Sequence, residues 1–165
     1  MRIVGGVHKG RPLAAPKGRA TRPTADRTRE AIFNKLTHAP WGRDISGARV
    51  IDLFAGSGAL GFEAMSRGAA FALFVETDAA ARGAIRDNVE TLQLFGNTRI
   101  HRRDATKLGP KPAGVGPRFD LVFLDPPYGK GLGERALAQL LEGGWITDDA
   151  LIVFEAGAEE DPRPA

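Results

Sequence analysis

The sequence predicts an α/β fold: an open, mostly parallel, Rossmann-like sheet with helices on both faces. Three observations carry the prediction. Short apolar runs recur at residues 49–54, 72–76, 121–124 and 150–155, with the length expected of buried parallel strands. Stretches of helical composition alternate with them, as right-handed crossovers between parallel strands require. The first run passes directly into Ala55-Gly56-Ser57-Gly58-Ala59-Leu60-Gly61, a strand–turn–helix junction with glycines at G-x-G-x-x-G spacing.

In chain order, residues 1–24 show no helical period and mix glycines, prolines and basic residues. They predict an irregular basic arm, with a short hairpin around Ile3-Val4, ahead of a single domain over 25–165. Thr24 is placed to cap a helix over about 25–37 that buries Ile32, Phe33 and Leu36. A helix from Ala59 ends near Gly68, and Asp78 reads as the N-cap of another over roughly 79–94. Residues 98–101 form a third strand, with Asp104 and Ala105 at its carboxyl end. The strand around Leu121 must stop at Asp125, because Pro126 and Pro127 offer no N–H to a ladder and each favours extended backbone before it. A helix over 133–141 and a strand over 150–155 complete the pattern. Residues 151–154 read as buried on both faces, with nothing after them to pair or cover them. Further chain beyond Ala165, or a neighbouring molecule, is expected to shield that edge.

Composition narrows the functional classes. At 165 residues the chain can bury one sizeable core. No apolar run approaches the length of a membrane span, and the basic start lacks a signal-type apolar region. The absence of cysteine excludes disulfides, thiolate metal sites and a cysteine nucleophile, and fits a cytoplasmic location. His8, His38 and His101 are scattered, so no metal site is expected. Trp41 and Trp145 read as packing residues, and Glu159-Glu160-Asp161 as a solvated tail. The net charge of +3 conceals an asymmetry: residues 1–43 hold ten Lys/Arg against two acids, while the remainder holds 13 against 18. A +8 N-terminal stretch that includes the arm, on a −5 body, suggests a polyanion contacted through the arm.

Ligands in open α/β sheets sit beyond the carboxyl ends of the strands, which is where Asp125-Pro126-Pro127-Tyr128 falls. Glu76 lies 20 residues past Gly56, the placement of a ribose-binding acid. The glycine spacing alone would also suit a dinucleotide-dependent dehydrogenase. Three features favour S-adenosylmethionine. Asp52, on the strand before the glycines, would repel pyrophosphate but can hold an ammonium. No Lys or Arg lies in the turn. Asp104-Ala105 offers a carboxylate and a backbone for an adenine amine.

These residues carry a family resemblance. The chain resembles the bacterial 16S rRNA (guanine-N2) methyltransferases, of class I and S-adenosylmethionine-dependent. The matching residues are Arg2 to Gly6, Gly10-Arg11, Arg22 to Glu30, Phe33-Asn34, Asp52 to Gly61, Glu63-Ala64, Ser66 to Gly68 and Asp125 to Tyr128. The resemblance implies cofactor contacts from Asp52, Phe54, Gly56, Gly58, Glu76, Asp104, Ala105 and Asp125. It also implies catalysis by Asp125, Pro126 and Tyr128. RNA contacts are expected from Arg2, Lys9, Arg11, Arg19, Arg22, Thr24, Arg27 and Arg29. The partner is then 16S rRNA or a small-subunit particle, met by a monomer. The chain stops short of the family's closing pair of strands. Methylation of amino groups on DNA bases or a protein amide is the alternative chemistry, and a non-catalytic RNA-binding domain the alternative class.

Overall fold

The computed structural model describes residues 1–16, 25–39, 44–127 and 131–154. Helix α1 spans Ala25–His38, followed by β1 (Arg49–Leu53), α2 (Ala59–Ser66), β2 (Phe71–Val75), α3 (Ala79–Leu92) and β3 (Thr98–His101). After two single 3-10 turns come β4 (Phe119–Leu124), α4 (Leu132–Glu142) and β5 (Ile146–Phe154). The strands form a parallel sheet in the order β3-β2-β1-β4-β5. This is the Rossmann-like order, in which the crossover direction reverses between β1 and β4 and leaves a crevice at their carboxyl ends.

Alternation along the strands feeds two cores. Val50, Phe74, Leu121 and Phe123 face Phe33 and Leu36 of α1, Phe62 of α2 and Ile85 of α3. Ile51, Leu73, Val122 and Leu124 face Ala136 and Leu140 of α4. The β3–β4 crossover has no long helix; Ala105, Leu108 and Val115 cover that face instead. Trp145 is fully buried there and donates to the Gly109 carbonyl at 2.7 Å, in keeping with its expected packing role. Trp41, Thr24, Glu155 and the acidic tail lie outside the described residues.

Residues 1–16 correct the expected irregular arm but contain the short hairpin expected around Ile3-Val4. They fold back as a hairpin: Arg2 bridges Pro12, Ile3 N–H donates to the Arg11 carbonyl at 2.9 Å, and Leu13 N–H to that of Met1 at 2.9 Å. Ile3 and Leu13 are buried in the first core, which ties the segment to the domain. The turn docks on the end of α2. Val7 and His8 N–H groups donate to the Ser66 carbonyl and hydroxyl, at 2.8 and 2.9 Å. Gly6 has φ +78°, and a Cβ there would lie 2.0 Å from the Ser66 oxygen, so only glycine allows the approach.

The last strand also differs from expectation. β5 starts at Ile146, four residues early, with an irregular register between Phe119 and Leu121 of β4. Among the described residues it occupies the sheet edge, and residues 151–154 are half-buried rather than covered on both faces. Asp148 and Asp149 are exposed, and charge is how natural edge strands discourage mispairing.

Candidate active site at the carboxyl edge of the sheet

β1 ends one residue before Phe54, whose φ of 56° is in the left-handed region that bulky side chains avoid. The fold holds this strain at the crevice mouth, where strained residues tend to serve ligands. Phe54, Glu76, Asp104 and Ala105 line one cleft together with Val75, Thr77 and Arg103. Four expected cofactor residues, from three strand ends, thus converge. Thr77 and Arg103 went unrecognised in the sequence, although Arg103 adjoins Asp104 and Thr77 adjoins Glu76.

Glu76 organises the turn. One carboxylate oxygen accepts the Gly56 N–H at 2.8 Å, and the other the Asp78 N–H at 2.9 Å. A carboxylate has about four lone-pair directions, so acceptor capacity remains for ligand hydroxyls. Gly56 has φ +61°, and nothing lies within 4 Å of where its Cβ would project, so a ligand can reach this backbone. Gly58 differs: its Cβ would strike the Phe62 and Phe74 rings at 2.7 and 2.9 Å, so its missing side chain serves packing. Gly61 likewise lets α2 approach Phe74, where a Cβ would lie 2.4 Å from the ring. Asp104 turns one oxygen to the Thr106 N–H and hydroxyl, at 2.8 and 2.7 Å. Those bonds hold its carboxyl below the usual carboxylate range.

Asp52 lies beneath the turn and is 2 % exposed. Gly61 N–H donates to it at 3.1 Å. Burial pushes its carboxyl well above the ordinary range, against the effect of that bond, and the charges of Asp125 and Glu76 push the same way. Acids at the ends of β1, β2 and β4 therefore form a field that a cation would relieve. The proton is held more tightly in the folded state than in the unfolded one, so this group's contribution to stability falls as pH rises from about 4 through the raised value. Urea midpoints across that range should decline in the wild type relative to Asp52→Asn. Parallel pH profiles for the two proteins would remove Asp52 from this account.

Asp125 follows β4 directly, and Pro126 is buried against the start of α4, where a Cβ on Gly133 would come within 3.2 Å of its ring. Tyr128 lies outside the described residues, as do Arg19 and Arg22. Of the other expected RNA contacts, Arg2, Lys9, Arg11 and Arg27 are exposed on the hairpin and the start of α1. Arg11 also reaches the Thr91 carbonyl at 2.8 Å. Arg29 must be corrected. It is 3 % exposed and engages Glu63 at 3.1 Å, Asp26 at 2.9 Å and the Arg2 carbonyl. A guanidinium committed in this way holds the hairpin to α1 and does not face phosphate.

Comparison with known proteins shows the family and the fold. The family described as conserved hypothetical protein 95 matches residues 1–164. The ribosomal RNA small subunit methyltransferase D of Escherichia coli (strain K12) is 41% identical over 159 residues, covering 96% of this chain and 76% of that protein. Its Haemophilus influenzae namesake is 36% identical over 156 residues, covering 94% and 78%. The solved structure of yhhF from Escherichia coli matches with a TM-score of 0.81 at 41% identity, over 98% of this chain and 84% of that one. The fold is the Rossmann-like class I methyltransferase fold, and the chain belongs to the conserved hypothetical protein 95 family as a relative of the ribosomal RNA small subunit methyltransferase D proteins.

Proposed function

We propose that the protein is an S-adenosylmethionine-dependent methyltransferase of small-subunit ribosomal RNA, acting on the exocyclic N2 amine of a guanine. The observation that carries this reading is the convergence of Phe54, Glu76 and Asp104 on one cleft, with the Asp125-Pro126 corner on the adjoining strand end. The relatives' names supply the ribosomal substrate. The residues suit the cofactor: acids favour its cationic methionine end, Glu76 suits its ribose hydroxyls, and Asp104 its adenine amine. When bound, it supplies a methyl on a positively charged sulfur, an intrinsically good donor.

The chain's own residues then mainly position the acceptor. A guanine amine is neutral at pH 7, but its lone pair is delocalised into the ring. Asp125 and the Pro126 carbonyl each accept an N–H, which fixes the amine and favours a lone pair aimed at the methyl. An amine that had taken the methyl would be acidic, and Asp125 or solvent would accept its proton. Tyr128 stacks on the base, which must leave its own stack to enter.

Exposed Arg2, Lys9, Arg11 and Arg27 support phosphate docking by the hairpin edge. Methyl incorporation should be high on small-subunit particles from cells lacking the enzyme, and low on duplex DNA of equal phosphate content. Binding should weaken with salt, and neutralising Arg11, Arg19 and Arg22 together should flatten the log–log slope by about 2. Equal labelling of DNA, or an unmoved slope, would revive the DNA-modifying alternative.

A further inference from the structure

We infer that Asn88 is a positioning residue that couples the N-terminal segment to the glycine turn, so that substrate RNA and methyl donor bind cooperatively. This rests on the function proposed above. Asn88 lies on α3 and is 1 % exposed. Its carboxamide is divided between two remote backbones. The side-chain oxygen accepts the Ala14 N–H at 2.7 Å. The side-chain nitrogen donates to the Ala14 carbonyl at 3.1 Å and to the Ser57 carbonyl at 3.0 Å. An amide nitrogen has two hydrogens, so its donor capacity is used up, one bond to each segment.

Each end of this clasp belongs to a different part of the proposed site. Ser57 stands between Gly56 and Gly58, and the preceding N–H, that of Gly56, is held by Glu76. The turn is therefore pinned by Glu76 on one side and by Asn88 on the other. Ala14 follows the hairpin strand and leads in sequence to Lys17, Arg19 and Arg22. The carboxamide is planar and buried, so a shift of Ala14 must rotate the amide and pull on Ser57, or leave a buried polar group unpaired. RNA that fixes the N-terminal segment also fixes the turn, and a donor that orders the turn does the same for the segment. Such coupling is reciprocal.

A merely structural Asn88 would contribute stability but leave the two affinities independent. The test measures the Kd for S-adenosylmethionine alone and with saturating unmethylated small-subunit particles. In the wild type the particles should tighten the Kd by about five-fold or more. Ala14→Pro removes the shorter of the two Asn88–Ala14 bonds, the N–H that Asn88 accepts, leaving that segment held only through the Ala14 carbonyl and sparing the Asn88–Ser57 bond. It should keep the Kd for the donor alone within about two-fold of wild type and reduce the coupling below about two-fold. Asn88→Ala should also abolish the coupling and weaken the donor alone; if that variant does not fold, Ala14→Pro carries the test. Absence of coupling in the wild type, or its full retention in Ala14→Pro, overturns the inference. A wild type that binds neither ligand refutes the proposed function itself, and the coupling with it.

Discussion

Asp125→Ala is expected to reduce methyl transfer by about 100-fold or more while retaining much of the cofactor affinity. The asymmetry follows from position. In the proposed site the cofactor would be held mainly by the cleft that Phe54, Glu76 and Asp104 line, whereas Asp125 stands at the end of β4, on the far side of β1 from β2. Its removal also takes one acid away from the group that presses on Asp52. What is lost is the acceptor that orients the amine. Pro126 alone cannot do this, because one carbonyl leaves the other N–H undirected. Tyr128→Phe should be mild, since stacking uses the ring, and Tyr128→Ala severe, by the about 1–3 kcal/mol of a lost stack. Single-turnover methylation beside calorimetric cofactor binding separates the two effects. Wild-type rates in Asp125→Ala would dismiss the mechanism.

Glu63→Ala is expected to destabilise the fold by about 3–5 kcal/mol, a large share of the about 5–15 kcal/mol that holds a domain together. Glu63 is fully buried within α2. Its oxygens accept from Val4 and Gly5 N–H, each at 2.9 Å, from Arg29 at 3.1 Å and from Arg67 at 2.8 Å. Removing it takes one of the two carboxylates from the buried Arg29 guanidinium and leaves two backbone donors unpaired. Glu63→Gln keeps an acceptor without the charge and should fall between. Urea unfolding reads both variants directly. A loss below about 1 kcal/mol for the alanine would show that the hairpin and α1 are held by apolar packing through Ile3, Leu13 and Phe33 instead. Because the same hub fixes the hairpin edge, Glu63→Gln should also weaken RNA binding more than cofactor binding.

Much of this protein was legible in its sequence because the relevant signals are local. A continuous apolar run marks a strand, covered on both faces in β1, β2 and β4, and a proline pair must end β4 beside Asp125. The glycine turn, Glu76 at the end of β2 and the Asp78 cap, whose carboxylate accepts the Ala81 N–H at 2.9 Å, each depend on neighbours within a few residues or on a fixed spacing. The start of β5 was missed because Thr147, Asp148 and Asp149 interrupt its apolar pattern, which an edge strand tolerates. The docking of the hairpin was missed because its buried residues, Ile3 and Leu13, are isolated among glycines and charges, and because it depends on Ser66.

The charged and polar hubs were decided by the tertiary structure alone. Arg29 sits in a charged helix start that reads as surface, yet Glu63, 34 residues away, draws it inside. Asn88 reads as one polar residue on a helix until the fold brings Ala14 and Ser57 to it, across 74 and 31 residues. The sequence by itself determined the sheet, the glycine turn and the end of β4 at Asp125, because burial period and backbone chemistry act over short range. Which polar groups are buried, and therefore which must be paired, is settled only when distant segments meet, because desolvation depends on everything that surrounds a group in space.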